Sequence, residues 1–250
     1  MNVYATDFDG TLNNRPIDAV LLSAIDDWRK AGHLFGVVSG RPYTSIRAVL
    51  AQYDIPFDFL IANNGAVIVD EREQPLLITS FSPDDALRLV TLLDRRPRTY
   101  LRVDNRFGYK DFPCIPPYSL TEDGGGLCVN GTEWRDVTEI TCSFADREET
   151  LREIRDITAA LDGRVNPLAY CPTGVDFVPG GVDKSYGIRQ MIRAFGITPA
   201  RIITTGDSFN DLAMLTDPGF EGYAVENALP EVKEAVGHTI PAPIDILRQL

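Results

Sequence analysis

Two carboxylates separated by one residue, Asp7 and Asp9, follow the first apolar stretch of the chain. Residues 2–6 predict a short β-strand, because most of them are apolar or β-branched, and Gly10 breaks that strand. In an open α/β sheet, ligands bind beyond the carboxyl ends of the strands. The two carboxylates are therefore expected where chemistry would occur, with a cation or a proton relieving the repulsion between them.

Other polar groups stand at the ends of predicted strands or at the start of a predicted helix. They are Ser39 after the strand 33–38, Lys184 at the start of the helix 184–195, and Asp207 and Asp211 after the strand 201–205. Taken singly, each has an ordinary interpretation as a turn former, a helix cap or a solvated lysine. Taken together, they bring acids, a hydroxyl and one lysine to the same sheet edge. A phosphoryl-transfer site needs this combination, with carboxylates for Mg²⁺, a nucleophile and fixed donors for the phosphate oxygens.

The elements that carry these groups alternate between strand and helix in two separate stretches of the chain. The alternation runs from residue 2 to residue 62 and resumes at residue 184, which predicts right-handed crossovers and a parallel sheet. Between them lie a hairpin, further strands and two amphipathic helices, with a Pro/Gly-rich stretch at 111–131 that carries little periodic signal. We therefore predict an α/β core built from residues 1–80 and 179–250, with an α+β domain, residues 81–178, inserted between its halves.

Charge and composition exclude several classes of partner. The 250 residues carry a formal net charge of -12, which argues against nucleic acid or an anionic membrane. No apolar run approaches the roughly 20 residues needed to span a bilayer, and the early first strand argues against a signal peptide.

The histidine and cysteine content also limits the chemistry. The chain has two histidines, which argues against a Ser-His-Asp hydrolase. The four cysteines lack zinc-ligand spacing and are expected as reduced thiols of a cytoplasmic protein: Cys114, Cys128, Cys142 and Cys171.

Four segments, in this order, look like the four motifs of the haloacid dehalogenase (HAD) superfamily. They are DFDGT at 7–11, VVSGR at 37–41, the lysine of GVDKSYGI at 181–188, and GDSFND at 206–211. NNGA at 63–66 and AVENA at 224–228 resemble the Cof-type branch, which includes sucrose-phosphate phosphatases. In that branch a cap is inserted between the second and third motifs. The resemblance implies a Rossmann-like parallel-sheet core that is catalytic and an α+β cap, residues 81–178, that selects the substrate.

The resemblance also implies a role for each motif residue. Asp7 would be the nucleophile that forms an aspartyl-phosphate, and Asp9 would protonate the leaving oxygen and then activate water. Ser39 and Lys184 would bind the phosphoryl oxygens. Mg²⁺ would be held by Asp7, the Asp9 backbone carbonyl and Asp207, supported by Asn210 and Asp211. The implied substrate contacts are Phe8, Gly10, Gly40, Arg41, Asn64 and Gly65.

The activity that follows is a Mg²⁺-dependent phosphomonoesterase acting on a small phosphorylated metabolite, most simply a sugar or polyol phosphate. A sugar phosphomutase with the same aspartyl-phosphate is an alternative, and a non-catalytic phosphate-binding module is another. A cytoplasmic monomer or small homo-oligomer is expected. The candidate ligand contacts of the inserted domain are Arg102, Asp104, Arg106, Tyr109, Lys110 and the glycine run 124–126. Each is interpreted as an ordinary surface residue in preference to a ligand contact, because protein surfaces are rich in charged residues.

Overall fold

A computed structural model describes residues 1–112 and 117–249 of the protein. The chain divides into two compact units, one formed by residues 1–41, 45–77 and 183 onward, and the other by residues 42–44 and 78–182. Cys114 lies outside the described residues, whereas Cys128, Cys142 and Cys171 are free thiols. None of the described helices is both long enough and apolar enough to span a bilayer.

Strands and helices alternate over residues 3–62 and 184–247, as the sequence predicts for these two stretches. The chain begins with β1 (Val3–Thr6), α1 (Ala19–Lys30), β2 (Leu34–Val38), α2 (Tyr43–Gln52), β3 (Phe59–Ala62), β4 (Val67–Asp70) and β5 (Pro75–Ile78). The middle contains α3 (Pro83–Asp94), β6 (Tyr100–Asn105), β7 (Gly108–Asp111), β8 (Tyr118–Leu120), β9 (Leu127–Val129), β10 (Thr132–Trp134), β11 (Glu139–Ser143), α4 (Arg147–Ala160), β12 (Val165–Ala169) and β13 (Gly174–Pro179). The last part contains α5 (Lys184–Phe195), β14 (Ile202–Gly206), α6 (Leu212–Leu215), β15 (Glu221–Val225), α7 (Pro230–Val236), β16 (Thr239–Ile240) and α8 (Ile244–Leu247).

The first unit is built around an eight-stranded sheet with the strand order β16-β15-β14-β1-β2-β3-β4-β5. Neighbours from β16 to β3 pair in parallel, and β3 pairs antiparallel with β4. The predicted parallel α/β fold is therefore confirmed. In this register Thr6 lies beside Thr205 on one side and Val37 on the other, so β1, β14 and β2 end at nearly the same level.

Buried apolar strands and well-capped helices hold this edge of the sheet in place. All four residues of β1 and of β3 are buried. The Asp183 carboxylate accepts a hydrogen bond from the backbone N–H of Tyr186 and caps the N-terminus of α5. At the other end of α5, Gly196 takes the left-handed conformation that ends many helices. The cap at Asp183 fixes where Lys184, the first residue of α5, enters the unit.

The second unit contains an antiparallel five-stranded sheet, in the order β12-β13-β11-β6-β7, and a small three-stranded sheet, β10-β9-β8. The stretch 111–131, where the sequence shows little periodic signal, thus contains β8 and β9. Each has only three residues, which is too short for an alternating pattern to be recognised. One face of the five-stranded sheet carries apolar residues that belong to the buried core of this unit: Leu101, Val103, Ile140, Cys142, Val175 and Phe177.

The other face of the five-stranded sheet carries charged residues that we call the sheet cluster, composed of Arg102, Asp104, Glu139 and Asp176. Cross-strand pairing aligns Glu139 with Asp104, and Thr141 with both Arg102 and Asp176. The interpretation of Arg102 and Asp104 as ordinary surface residues is wrong, because the Asp104 side chain is 0% exposed and that of Arg102 is 17% exposed. The guanidinium donates at 2.9 Å to both Asp104 and Glu139, which compensates for the burial of these carboxylates.

Candidate active site

Asp7 is the first residue after β1, and it is anchored to the neighbouring strand. Its backbone N–H donates to the carbonyl oxygen of Thr205 at 2.9 Å. The chain then turns tightly through residues 8–12, with Gly10 at φ = 76°. A Cβ atom at Gly10 would lie only 2.6 Å from Oδ2 of Asp207. Glycine is therefore required there for two reasons, the positive φ and the close approach of a carboxylate.

Lys184 joins two of the predicted acids in the interior of the first unit. Its Nζ lies 2.7 Å from Oδ1 of Asp7 and 2.5 Å from Oδ1 of Asp211, and its side chain is only 1% exposed. Burial alone would lower the pKa of Lys184, but the charges of Asp211 and Asp7 outweigh it and raise that pKa above its usual value. The lysine is therefore a permanently charged ammonium shared by two carboxylates.

Neutral hydrogen-bond donors also hold the carboxylates of Asp211 and Asp207 in place. Oδ2 of Asp211 accepts the backbone N–H groups of Asp207 and Ser208, each at 2.9 Å, and Oδ1 of Asp207 accepts the hydroxyl of Thr11 at 2.9 Å. Burial, together with the charge of Asp211, raises the pKa of Asp207 to about 6. Burial also raises the pKa of Asp7, and the charge of Lys184 only partly opposes it.

Asp7, Asp207 and Asp211 could together hold a cation. One carboxylate oxygen from each lies within 4.8 Å of the others. Together with Lys184 they form the core cluster, in which three carboxylates face one ammonium. Hard divalent cations prefer such oxygen ligands, and the charge excess and the raised pKa values are those of a site that gains from a cation. The donor set therefore fits a divalent metal ion.

Ser39, Gly40, Asn64 and Asn210 come together beside the core cluster. The backbone N–H of Asn64 donates to the carbonyl of Ser39 at 3.1 Å, and Nδ2 of Asn210 donates to Oδ1 of Asn64 at 3.2 Å. A Cβ atom at Gly40 would lie 3.0 Å from Oδ1 of Asn64, so a larger residue would disturb this contact.

Three of the implied substrate contacts make other contacts within the unit. At Gly65, which has φ = 108°, a Cβ atom would lie 2.1 Å from the carbonyl oxygen of Asp183, so this glycine permits close packing against the start of α5. The side chain of Phe8 is buried, which leaves only its backbone for a ligand. The guanidinium of Arg41 pairs with the Asp9 carboxylate and lies 5.7 Å from the Phe8 ring centroid.

Three residues that sequence reasoning did not single out support the turn at residues 8–12. Besides the Thr11 hydroxyl, Oδ1 of Asn13 accepts the Gly10 N–H at 2.7 Å, and Nδ2 of Asn227 donates to the Gly10 carbonyl at 2.7 Å. Thr11 and Asn227 lie inside the quoted segments DFDGT and AVENA, so the motifs contained the signal. Asn13 stands in no motif, and its contact follows from the turn geometry alone.

Carboxylates at adjacent strand ends, a buried lysine and a site suited to a divalent cation are the groups that a phosphoryl-transfer centre on a parallel α/β sheet requires. The family of haloacid dehalogenase-like hydrolases matches residues 4–243, and the chain therefore belongs to that family. An HMP-PP phosphatase from Yersinia pseudotuberculosis is 24% identical over 240 residues, which cover 92% of this chain and 85% of that protein. The predicted family and the predicted enzyme class, a phosphatase of the HAD superfamily, are confirmed.

Solved structures share the whole fold at low sequence identity. The structure of a HAD subclass IIB sugar phosphatase has a TM-score of 0.73 at 20% identity and covers 98% of this chain and 95% of its own. A haloacid dehalogenase-like hydrolase from B. subtilis has a TM-score of 0.78 at 14% identity and covers 100% of both chains. At these identities the likeness shows that the fold is shared.

Proposed function

We propose that the protein is a cytoplasmic, Mg²⁺-dependent phosphomonoester hydrolase that acts on a small phosphorylated metabolite, most simply a sugar or polyol phosphate. The observation that carries the proposal is the contact of Lys184 with Asp7 and Asp211, beside Asp207. A sugar phosphatase among the structural neighbours and an HMP-PP phosphatase among the relatives support a small phosphorylated substrate. Residues 1–80 and 179–250 would perform the chemistry, and residues 81–178 would select the substrate.

In this proposal Asp7 is the nucleophile. Lys184 holds Oδ1 of Asp7 at 2.7 Å, so Oδ2 would attack phosphorus and form an aspartyl-phosphate. The ammonium favours the ionised carboxylate that attack requires. Ser39, Lys184 and the backbone N–H groups near Phe8 and Gly10 would bind the phosphoryl oxygens and stabilise the charge that develops on them.

Asp7, Asp207 and Asp211, with Asn210 and the Asp9 carbonyl, would hold Mg²⁺. The ion would neutralise phosphoryl charge and keep the Asp7 carboxylate ionised. Asp9 would donate a proton to the leaving oxygen and later accept one from the hydrolytic water.

The decisive experiment is a screen of phosphorylated metabolites with Mg²⁺, in which released phosphate is measured without any added sugar bisphosphate. We expect turnover by the wild type and its loss, by at least about 10³-fold, in Asp7→Asn, because the nucleophile is removed. Asp27→Asn is the matched control, since Asp27 is exposed on α1. Fluoroberyllate should bind at Asp7 in the wild type.

Two results would contradict the proposal. Undiminished phosphate release by a folded Asp7→Asn variant would exclude Asp7 as the nucleophile. Phosphate transfer to a second hydroxyl, with no net release, would replace the hydrolase by a phosphomutase.

A further inference from the structure

The carboxylate of Asp9 is bound on both of its oxygens by one side chain. Nε of Arg41 lies 2.5 Å from Oδ2 of Asp9, and Nη2 lies 2.6 Å from Oδ1. This is a bidentate, fork-to-fork pair, which fixes the direction as well as the position of a carboxylate. The two residues are 32 positions apart and lie at the ends of neighbouring strands.

The backbone of Arg41 is itself anchored, so the pair has a fixed base. Its N–H donates to Oγ of Ser39 at 3.1 Å, and its carbonyl accepts the N–H of Asn63 at 3.0 Å. The guanidinium also lies near the ring of Phe8, a residue that is 1% exposed. Arg41 therefore reaches Asp9 from a position that is set by the Ser39 loop and by a buried aromatic ring.

The turn that carries Asp9 does not fix its side chain. Asp9 sits between the buried Phe8 and Gly10, and its side chain is 45% exposed. An exposed ion pair typically adds no more than about 1 kcal/mol to stability, so stability gives little reason for this one. Orientation gives a better reason, because an unrestrained carboxylate would sample several rotamers.

We infer that Arg41 is a positioning residue that acts through Asp9 and aims its carboxyl at the leaving group, rather than a residue that binds substrate directly. The inference rests on the proposed function, in which Asp9 transfers protons. As the bond from Asp7 to phosphorus forms, the bond from phosphorus to the leaving oxygen breaks and its electron pair passes to that oxygen. Because both oxygens of Asp9 accept N–H groups of Arg41, Asp9 must first take a proton from solvent on the oxygen that gives up its contact with Arg41. That proton then passes to the leaving oxygen while the other oxygen of Asp9 stays bound to the guanidinium.

The test uses the dependence of kcat/KM on the leaving group, measured with residues 1–250 and Mg²⁺. For Arg41→Gln we expect kcat/KM to fall about 10²-fold with alkyl phosphates, whose alkoxide must be protonated as it leaves. With p-nitrophenyl phosphate we expect a loss of less than about threefold, because this leaving group departs without a proton. Arg41→Lys keeps the positive charge but cannot form the bidentate pair, so its kcat/KM with alkyl phosphates should lie between those of the wild type and Arg41→Gln.

A double-variant cycle separates an action through Asp9 from a general structural effect. In an Asp9→Asn background, Arg41→Gln should reduce kcat/KM for alkyl phosphates by less than about twofold, since the group it positions no longer transfers protons. Arg47→Gln is the matched control, because Arg47 forms an exposed pair with Glu73 on the same unit.

The possible outcomes divide between this inference and the proposed function. An equal loss for all leaving groups, additive losses in the cycle, or a KM that rises with kcat unchanged would overturn the role of Arg41 while leaving a phosphatase. Absence of phosphate release from every ester by the wild type would overturn the proposed function, and this inference with it. The role of Arg41 would be established if its two variants lose more activity with alkyl phosphates than with p-nitrophenyl phosphate, the Arg47→Gln control does not, and Arg41→Gln has no further effect in the Asp9→Asn background.

Discussion

The protein contains two buried ion clusters with the same charges and different arrangements. The core cluster, at the carboxyl ends of β1 and β14, has three carboxylates and one lysine. The sheet cluster, on the polar face of the five-stranded sheet, has three carboxylates and one arginine. If every group were ionised, each cluster would have two more negative than positive charges, which is costly away from water.

The arrangement of the carboxylates decides how that excess can be relieved. In the core cluster an oxygen of each acid lies within 4.8 Å of the others, and no second group of this kind occurs among residues 1–112 and 117–249. In the sheet cluster, strand pairing places Glu139 directly opposite Asp104, and Oδ1 of Asp104 is buried with no hydrogen-bond partner. Burial raises the pKa of Asp104 to about 7 although Arg102 opposes it. Three converging carboxylates suit a divalent cation, whereas a buried carboxylate oxygen without a hydrogen-bond donor suits a proton.

The largest expected effect comes from removing the lysine of the core cluster. Lys184→Met should lower kcat by about 10²- to 10³-fold, because the proposed donor to the phosphoryl group is lost. Without Mg²⁺ the free energy of unfolding should fall by about 3–5 kcal/mol, since buried carboxylates lose their partner. Millimolar Mg²⁺ should restore part of the stability but not the turnover. Urea unfolding measures the stability and phosphate release measures the turnover. Lys30→Met is the control, because Lys30 is exposed.

Removing the arginine of the sheet cluster should lower stability by a similar amount, and added Mg²⁺ should not restore it. Arg102→Met leaves Asp104 and Glu139 without their shared donor, and we expect a loss of about 3 kcal/mol in the free energy of unfolding. Mg²⁺ should stabilise this variant no more than it stabilises the wild type. The exposed Arg88→Met is the control. Rescue of Arg102→Met by Mg²⁺ to the extent seen for Lys184→Met would erase the distinction between the clusters.

The proton in the sheet cluster predicts a pH dependence of stability. The pKa of Asp104 is about 7 in the folded protein and about 3.9 in an unfolded chain. The folded state therefore binds this proton more tightly, so its stabilising contribution is complete below about pH 4 and is lost as the pH rises through about 7. Between pH 5 and pH 8 the wild type should lose about 2–3 kcal/mol relative to Asp104→Asn.

Urea unfolding at the two pH values measures this difference. Asp156→Asn serves as the control, because Asp156 is exposed on α4 and its substitution should leave the pH dependence of the wild type unchanged. A parallel pH dependence of Asp104→Asn and wild type would show that Asp104 stays ionised in the folded protein.

The two clusters also differ in how far the sequence predicts them. The core cluster follows from a rule, because the carboxyl ends of parallel strands meet at one edge, and the acids follow predicted strands while Lys184 begins a predicted helix. The sheet cluster does not follow, because alternation along β6 puts Arg102 and Asp104 on one face without saying whether that face is covered. The contact of Arg41 with Asp9 is also unpredictable, because the two residues follow neighbouring strands but meet only through the rotamer of the long Arg41 side chain.

The smallest expected effect comes from the neutral hydrogen bonds that hold the turn at residues 8–12. It tests whether these bonds contribute to activity in addition to the charged contacts of the core cluster. Asn227 donates to the carbonyl of Gly10 at 2.7 Å and accepts from Nδ2 of Asn14 at 3.1 Å. One neutral hydrogen bond contributes about 1 kcal/mol, so Asn227→Ala should lower kcat/KM by about three- to tenfold and stability by less than about 1 kcal/mol. Glu226→Gln, next in sequence and exposed, should change neither. An Asn227→Ala variant with wild-type kcat/KM would mean that the charged contacts of the core cluster hold the turn unaided, as strand pairing holds the sheet cluster.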